Sequence, residues 1–441
     1  MTDFQSLTKD YARESVPDGQ TRSVIKLLAV FVGFTVNIAA LILGAQIGSG
    51  APFLTGLLGC IIGGFLLFVI GGITAMIGAQ TRLSTGMICK LSFGHKGANV
   101  IAFILALSLF GWFGIQTEIF AASLHELLNA AFNINIPRIA LVLFGGMLMS
   151  STAIIGFKAL EKLSLVSVPL LFLLLLWPLV TLLVTDGASN FFAAQNDPAL
   201  LATQTLSLQM IISLVAGSSM VVAVLMPDIM RYARTRRDGV LTAYFGFAVI
   251  YPVMLVLSMI LTILARQIDI AAIMMQLGLG IPALLIIILA TWTTNDSNLY
   301  SSSLNLSAIF THVRKWKLAA ATGVIGTVLA AWGILGHFIG WLTLLGLVIA
   351  PVGGVIIADY MMNAKTYHSD RLDSAPSVHW SHLGTLLIGI IGGFCSTGTA
   401  GQAGLFTLTT IPPLDGLLIA AAATALCSYI ARRRAASKSS A

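Results

Sequence analysis

The chain has 441 residues, of which 57% are hydrophobic and only 9% charged, and its mean hydropathy is +0.94. A soluble domain carries about 25% charged residues, so a water-soluble fold is excluded and a polytopic membrane protein is expected. The net charge of +7 reads as a topology signal rather than a nucleic-acid footprint.

Residues 1–23 are polar and hold no apolar h-region, so no cleaved signal peptide is expected. Beyond them, apolar segments of spanning length, about 20 residues each, fall near 27–50, 52–79, 100–124, 138–156, 163–185, 206–228, 240–264, 281–304, 318–335, 338–358, 383–400 and 412–431. These predict an all-α protein with 12 transmembrane helices. Lys and Arg collect in cytoplasmic loops, and 22 of the 24 basic residues lie in alternate connecting segments or at the chain ends. Only Arg138 and Arg266 fall on the other side. Both termini are therefore expected in the cytoplasm, in a multi-pass protein of the cell (inner) membrane.

Long polar segments at 186–205 and 359–382 follow the fifth and tenth helices. They divide the chain into a cytoplasmic N-terminal segment (1–23), two five-helix repeats (24–186 and 187–360), a cytoplasmic loop (361–382), helices 11 and 12 (383–431) and a cytoplasmic tail (432–441). Because five is odd, the second unit starts on the opposite side from the first. That is a 5+5 inverted repeat with two additional C-terminal helices.

In the first helix Asn37 stands among apolar residues, and Gly44, Gly48 and Gly50 weaken the helix after it. The sixth carries Ala216, Gly217, Ser218 and Ser219, then Pro227 and Asp228. Interrupted helices free backbone groups to meet an ion or solute, while small residues equally permit close packing. Asn37 reads as functional, because an amide in lipid needs a partner. In the third helix Trp112 and Gln116 are one turn apart and share a face. An indole beside an amide suits a flat, hydrogen-bonding solute; a packed aromatic is the other reading. Glu118 points elsewhere, to pair with a neighbouring helix or to take up a proton.

The eighth helix runs from an apolar stretch at 281–290 into Thr291, Trp292, Thr293, Thr294, Asn295, Asp296, Ser297 and Asn298. A carboxylate at the centre of a membrane helix costs roughly 2.5–3.5 kcal/mol, so such groups should face a cavity or a partner. Asp296 either braces the helix or carries a proton.

The string from Trp292 to Asp296 with Leu299 and Tyr300, the segments 340–343 and 351–360, and Gly111, Trp112, Phe113 and Gly114 resemble the nucleobase-cation symporter family of purine and pyrimidine permeases, its cytosine permeases most of all. Ser92, Phe93, Gly94, Lys96 and Gly97, and Asp228 with Arg231 and Arg234, add to a likeness over most of 25–365. The resemblance implies a LeuT-like fold with sodium between the first and eighth helices. Its ligands would be the carbonyls of Asn37, Ala40 and Ala290 and the hydroxyls of Thr293 and Thr294. It implies a substrate pocket walled by Trp112, with Asn37, Gln116, Ser218, Ser219 and Asn295 as polar partners. The second aromatic wall is replaced by Ser219, Leu109 stands where cytosine permeases carry Gln, and the amide expected at Ala290 is absent.

The expected function is therefore uptake of a planar nitrogen heterocycle, cytosine-like at first guess, by cation symport. Sodium is the expected coupling ion, with a proton as the alternative and uracil, purines, allantoin or hydantoins as alternative cargo. No other cofactor, nucleic acid or obligate protein partner is indicated beyond the lipid bilayer. An integral membrane enzyme is the rival class, but His379 and His382 lack a companion carboxylate or cysteine cluster, and no Walker or dinucleotide-binding glycine pattern occurs.

Overall fold

The computed structural model describes residues 11, 13–35, 37–195, 205–267, 273, 280–396 and 403–439. Its elements are helical, with two isolated bridges and no named strand among the described residues. In chain order they are α1 (Val24–Thr35), α2 (Ile38–Gly50), α3 (Phe53–Thr81), α4 (Thr85–Phe132), α5 (Arg138–Ala153), α6 (Phe157–Gln195), α7 (Leu208–Val224), α8 (Met226–Met230), α9 (Arg236–Ala243), α10 (Tyr251–Ala265), α11 (Gly280–Ile309), α12 (Lys315–Trp332), α13 (Phe338–Asn363), α14 (Trp380–Cys395) and α15 (Pro412–Ser439). A π-helical stretch, Tyr244–Ile250, joins α9 to α10.

Among the described residues six helices are long and apolar enough to cross a bilayer, or seven if the bent pair α1 and α2 is one span. Large apolar side chains such as Phe65 on α3, Leu173 and Trp177 on α6 and Val328 on α12 face outward. A soluble monomer does not display such patches along its helices; a membrane protein must.

The first expected span is broken, with a 62° bend between α1 and α2. Asn37 makes the break: its backbone is extended (φ −138°, ψ 166°), and its Oδ1 accepts the Ala40 N–H at 2.9 Å, capping α2. The glycines after it do not weaken the helix. A Cβ on Gly44 would lie 2.5 Å from the Leu255 carbonyl oxygen, and one on Gly48 would lie 2.9 Å from the Met259 Cα. They bring α2 against α10, which Ser258 seals by donating to the Leu41 carbonyl at 2.6 Å. The sixth span also breaks later than expected. Its helix runs through Gly217, Ser218 and Ser219 to Val224 and stops at Leu225, ahead of Pro227 near the start of α8.

Helix α4 begins well before the expected third span and is kinked at Gly94, whose φ of +77° is open to glycine without strain. Helix α6 runs past position 186 to Gln195. Helix α11 lies at the centre, packed by α4, with α1, α5, α6 and α12 around it. Apart from Trp292, its string 291–298 is at most 2% exposed. The polar side chains therefore turn to protein, which is where hydrocarbon forces them. Helices α14 and α15 pack on each other and on α13.

Candidate functional site

Where α1 breaks, a cavity of about 20 Å³ opens between α1, α4, α7 and α11. Its polar lining is Thr35, Asn37, Trp112, Ser218, Ser219, Thr294 and Asn298; Phe34, Leu109, Val221 and Val222 complete it. A space of that size holds about one water. A planar heterocyclic ring does not fit in that space.

Five of the residues singled out in the sequence meet here: Asn37, Trp112, Ser218, Ser219 and Thr294. Asn37 is held by its cap and by Nδ2 donating to the Thr35 carbonyl at 3.2 Å. Ser218 is 2.7 Å from the Tyr251 hydroxyl, tying α7 to α10. One turn from Trp112, Gln116 is fully buried, and neither its Nε2 nor its Oε1 has a hydrogen-bond partner among the described residues. Buried amides are nearly always satisfied, but Gln116 is not among the residues that line the cavity.

Asn295 does not line the cavity. Its Nδ2 donates to the Phe113 carbonyl and the Thr117 hydroxyl, both at 3.1 Å, and its Oδ1 accepts from Asn298 at 3.0 Å. It fastens α11 to α4 and aims Asn298, which does line the cavity. Asn298 ends the same polar string in the sequence but sits one turn later than the family motif suggests. Phe34 supplies a second aromatic from α1, where the sequence shows only the loss of one from α7.

The two threonines lie against α1 as expected, but one turn earlier than expected. Thr294 donates to the Gly33 carbonyl at 3.3 Å and to the Ala290 carbonyl at 2.9 Å, and Thr293 shares Ala290 at 3.3 Å. The Asn37 carbonyl instead receives the N–H groups of Ala40 and Leu41, and Ala40 lies inside α2. The register moves because the helix ends at Thr35, ahead of Asn37. Gly33 permits the approach: a Cβ there would fall 2.8 Å from the Ser164 Oγ of α6 and 3.5 Å from the Thr293 Cβ. That Ser164 hydroxyl is buried without a partner.

Glu118 lies away from the cavity. It accepts the Leu335 N–H at 2.8 Å, and Arg138 is 3.9 Å from it, so it binds α4 to the turn before α13. Asp296 is fully buried on α11. The opposite, basic end is laced shut. Arg13 donates to the carbonyls of Ser307, Phe310 and Val313, and Arg22 and Lys26 pair with Glu161 at 2.6 and 2.7 Å. Arg231, wholly buried, donates to the Tyr300 hydroxyl at 2.8 Å, while Asp228 accepts the Thr85 N–H at the start of α4.

Residues 16–408 match the family model described as permease for cytosine/purines, uracil, thiamine, allantoin. The chain belongs to that family. It is 32% identical to the cytosine permease of Escherichia coli O157:H7 over 391 residues, 88% of this chain and 90% of that one. Among solved structures it is similar to Mhp1, a nucleobase-cation-symport-1 family transporter closed on bromovinylhydantoin, with a TM-score of 0.75, 18% identity and coverage of 97% and 96%. A Na+-coupled sialic acid symporter shares the fold at a TM-score of 0.71 and 14% identity, covering 97% of this chain and 93% of that one. This chain is accordingly a nucleobase-type membrane transporter, not an enzyme.

Proposed function

We propose that the protein imports a nucleobase or related planar nitrogen heterocycle together with a cation, sodium in first place, by alternating access. The observation that carries this reading is a small cavity at the helix break, walled by Trp112 with Asn37, Ser218, Ser219, Thr294 and Asn298 around it. In this reading Trp112 stacks on the ring, Gln116 and Asn298 meet its edge, and Asn37, Ser218 and Ser219 close the far side. Asn295 acts through Asn298. A cytosine-sized ring is the first candidate on the family's evidence; serine in place of the α7 aromatic keeps uracil, purines, allantoin and hydantoins as alternatives.

Sodium, as co-substrate, would use the carbonyls of Gly33 and Ala290 and the hydroxyls of Thr293 and Thr294, with Ser164 as a further oxygen from α6. Neutral oxygens at a helix break suit a hard monovalent cation. One cation moved inward gains about 2.3 kcal/mol per 100 mV, and at about 1.4 kcal/mol per decade that sustains more than tenfold accumulation. The reading places 12 helices in the membrane as two inverted five-helix repeats plus α14 and α15. Both termini and the basic end are cytoplasmic, in the cell (inner) membrane.

Thermal-shift titration of purified protein with cytosine, uracil, purines, allantoin and hydantoins, with and without sodium, tests it. One class should stabilise the protein, more strongly with sodium. Trp112→Ala should move that shift to ligand concentrations about 5- to 100-fold higher, and Thr294→Ala should remove its sodium dependence. Shifts indifferent to both substitutions would put the site elsewhere.

A further inference from the structure

A second cavity, of about 460 Å³, opens at the basic end between the last turns of α13, the connector 364–379, the start of α14 and the end of α15. It shares no lining residue with the central cavity, and its size is that of a small-molecule site. Its lining is rich in donors. Arg371 comes from the connector and Arg432 from α15, and Thr366, Ser374, Ser381 and Ser428 also line the space. Arg432 is held in place: its Nη2 donates to the Asn363 Oδ1 at 3.0 Å and also reaches the Met362 carbonyl.

Asp359, the one carboxylate in the wall among the described residues, is already occupied. Asp359 accepts the Tyr367 hydroxyl at 2.5 Å and the Asn363 amide at 2.8 Å, with His382 3.9 Å away. His379 stacks on His382 with ring centroids 5.2 Å apart. Two arginines, four hydroxyl-bearing residues and the start of α14 therefore line one space, and a helix start favours negative charge. Guanidinium pairs match the oxygen geometry of phosphate better than that of any neutral solute.

We propose that this cavity is a binding site for a phosphate-bearing anion, either a free phosphate monoester or an anionic lipid headgroup. The site is also wired to α4. The Phe93 carbonyl accepts the His379 N–H at 2.9 Å, and the His95 and Lys96 N–H groups bond to Pro376 and Ser377 at 2.9 and 2.8 Å, all around the Gly94 kink. A filled cavity would brace the helix that carries Trp112. Binding stands without the transport reading; an effect on turnover would rest on it.

The test is melting temperature. Full-length protein in detergent is titrated with inorganic phosphate and with cytidine monophosphate against chloride of equal ionic strength. In parallel, nanodiscs of phosphatidylcholine alone are compared with nanodiscs containing phosphatidylglycerol. A saturable rise in either arm, lost in Arg371→Gln/Arg432→Gln and weakened in Arg371→Gln alone, supports the site. The responding arm names its source. Arg371 lies exposed on the connector, so the single variant remains informative if the double variant is not monodisperse. No rise in either arm, or a rise unchanged in Arg371→Gln, overturns the proposal.

Discussion

At the scale of single residues the strongest feature is an amide with nothing to bond. A buried polar group left unsatisfied costs about 1–3 kcal/mol, whereas an apolar side chain of similar shape escapes that cost. Gln116→Leu should therefore raise the melting temperature of the ligand-free protein while abolishing the shift produced by the heterocycle. If the substitution lowers the melting temperature and leaves the ligand shift intact, Gln116 is a packing residue. The sequence made Trp112 and Gln116 legible, because their spacing puts them on one helical face. It could not separate Asn295 from Asn298. Both amides belong to one polar string, and only the packing of α4 against α11 decides that Asn295 spends its N–H groups on Phe113 and Thr117.

Histidine at the start of α14 offers a pH test outside the membrane-spanning segments. Burial, and then the neighbouring His382, hold the His379 imidazole below its ordinary value of 6.5, with Asp359 opposing them. The unfolded chain therefore takes up this proton first as pH falls, and stability rises with pH across the window below about 6.5. Melting temperature measured from pH 5 to 8 should fall on the acid side, and His379→Gln should flatten that slope. An unchanged slope in the variant would remove His379 as its source.

At the scale of elements, the broken first helix was legible from Asn37, an amide with no business in a continuous apolar helix. The position of the break was not. Glycine weakens a helix in isolation, yet Gly44 and Gly48 sit in an intact α2 because tertiary contact with α10 requires their missing side chains. Gly44→Ala should therefore destabilise the protein through a clash with the Leu255 carbonyl, where overpacking typically costs 1–3 kcal/mol. A drop of several degrees in melting temperature is expected. An unchanged value would mean that α2 is not seated on α10 as described. The contact of α11 with α1 shifted for a related reason: sequence spacing locates two threonines on α11 but not which turn of α1 they touch.

At the scale of the whole molecule, hydropathy and the distribution of basic residues carried the membrane class, and the family match follows from motifs that lie mostly on α4, α11 and α13. What those motifs do individually is a matter of packing. Asp228, Arg231 and Tyr300 tie the basic end together, Asp359 and Tyr367 join α13 to its connector, and Ser218 and Thr294 bond across the walls of the central cavity.

The most direct test of the account is counterflow in proteoliposomes. Vesicles preloaded with the heterocycle that stabilises the protein should take up its labelled form saturably. An imposed inward sodium gradient should drive net accumulation. Trp112→Ala should lower the apparent affinity about 5- to 100-fold, in line with the loss of one base-stacking contact. Uptake that neither saturates nor responds to Trp112→Ala would contradict the central claim, that a flat solute is carried in the closed space between α1, α4, α7 and α11.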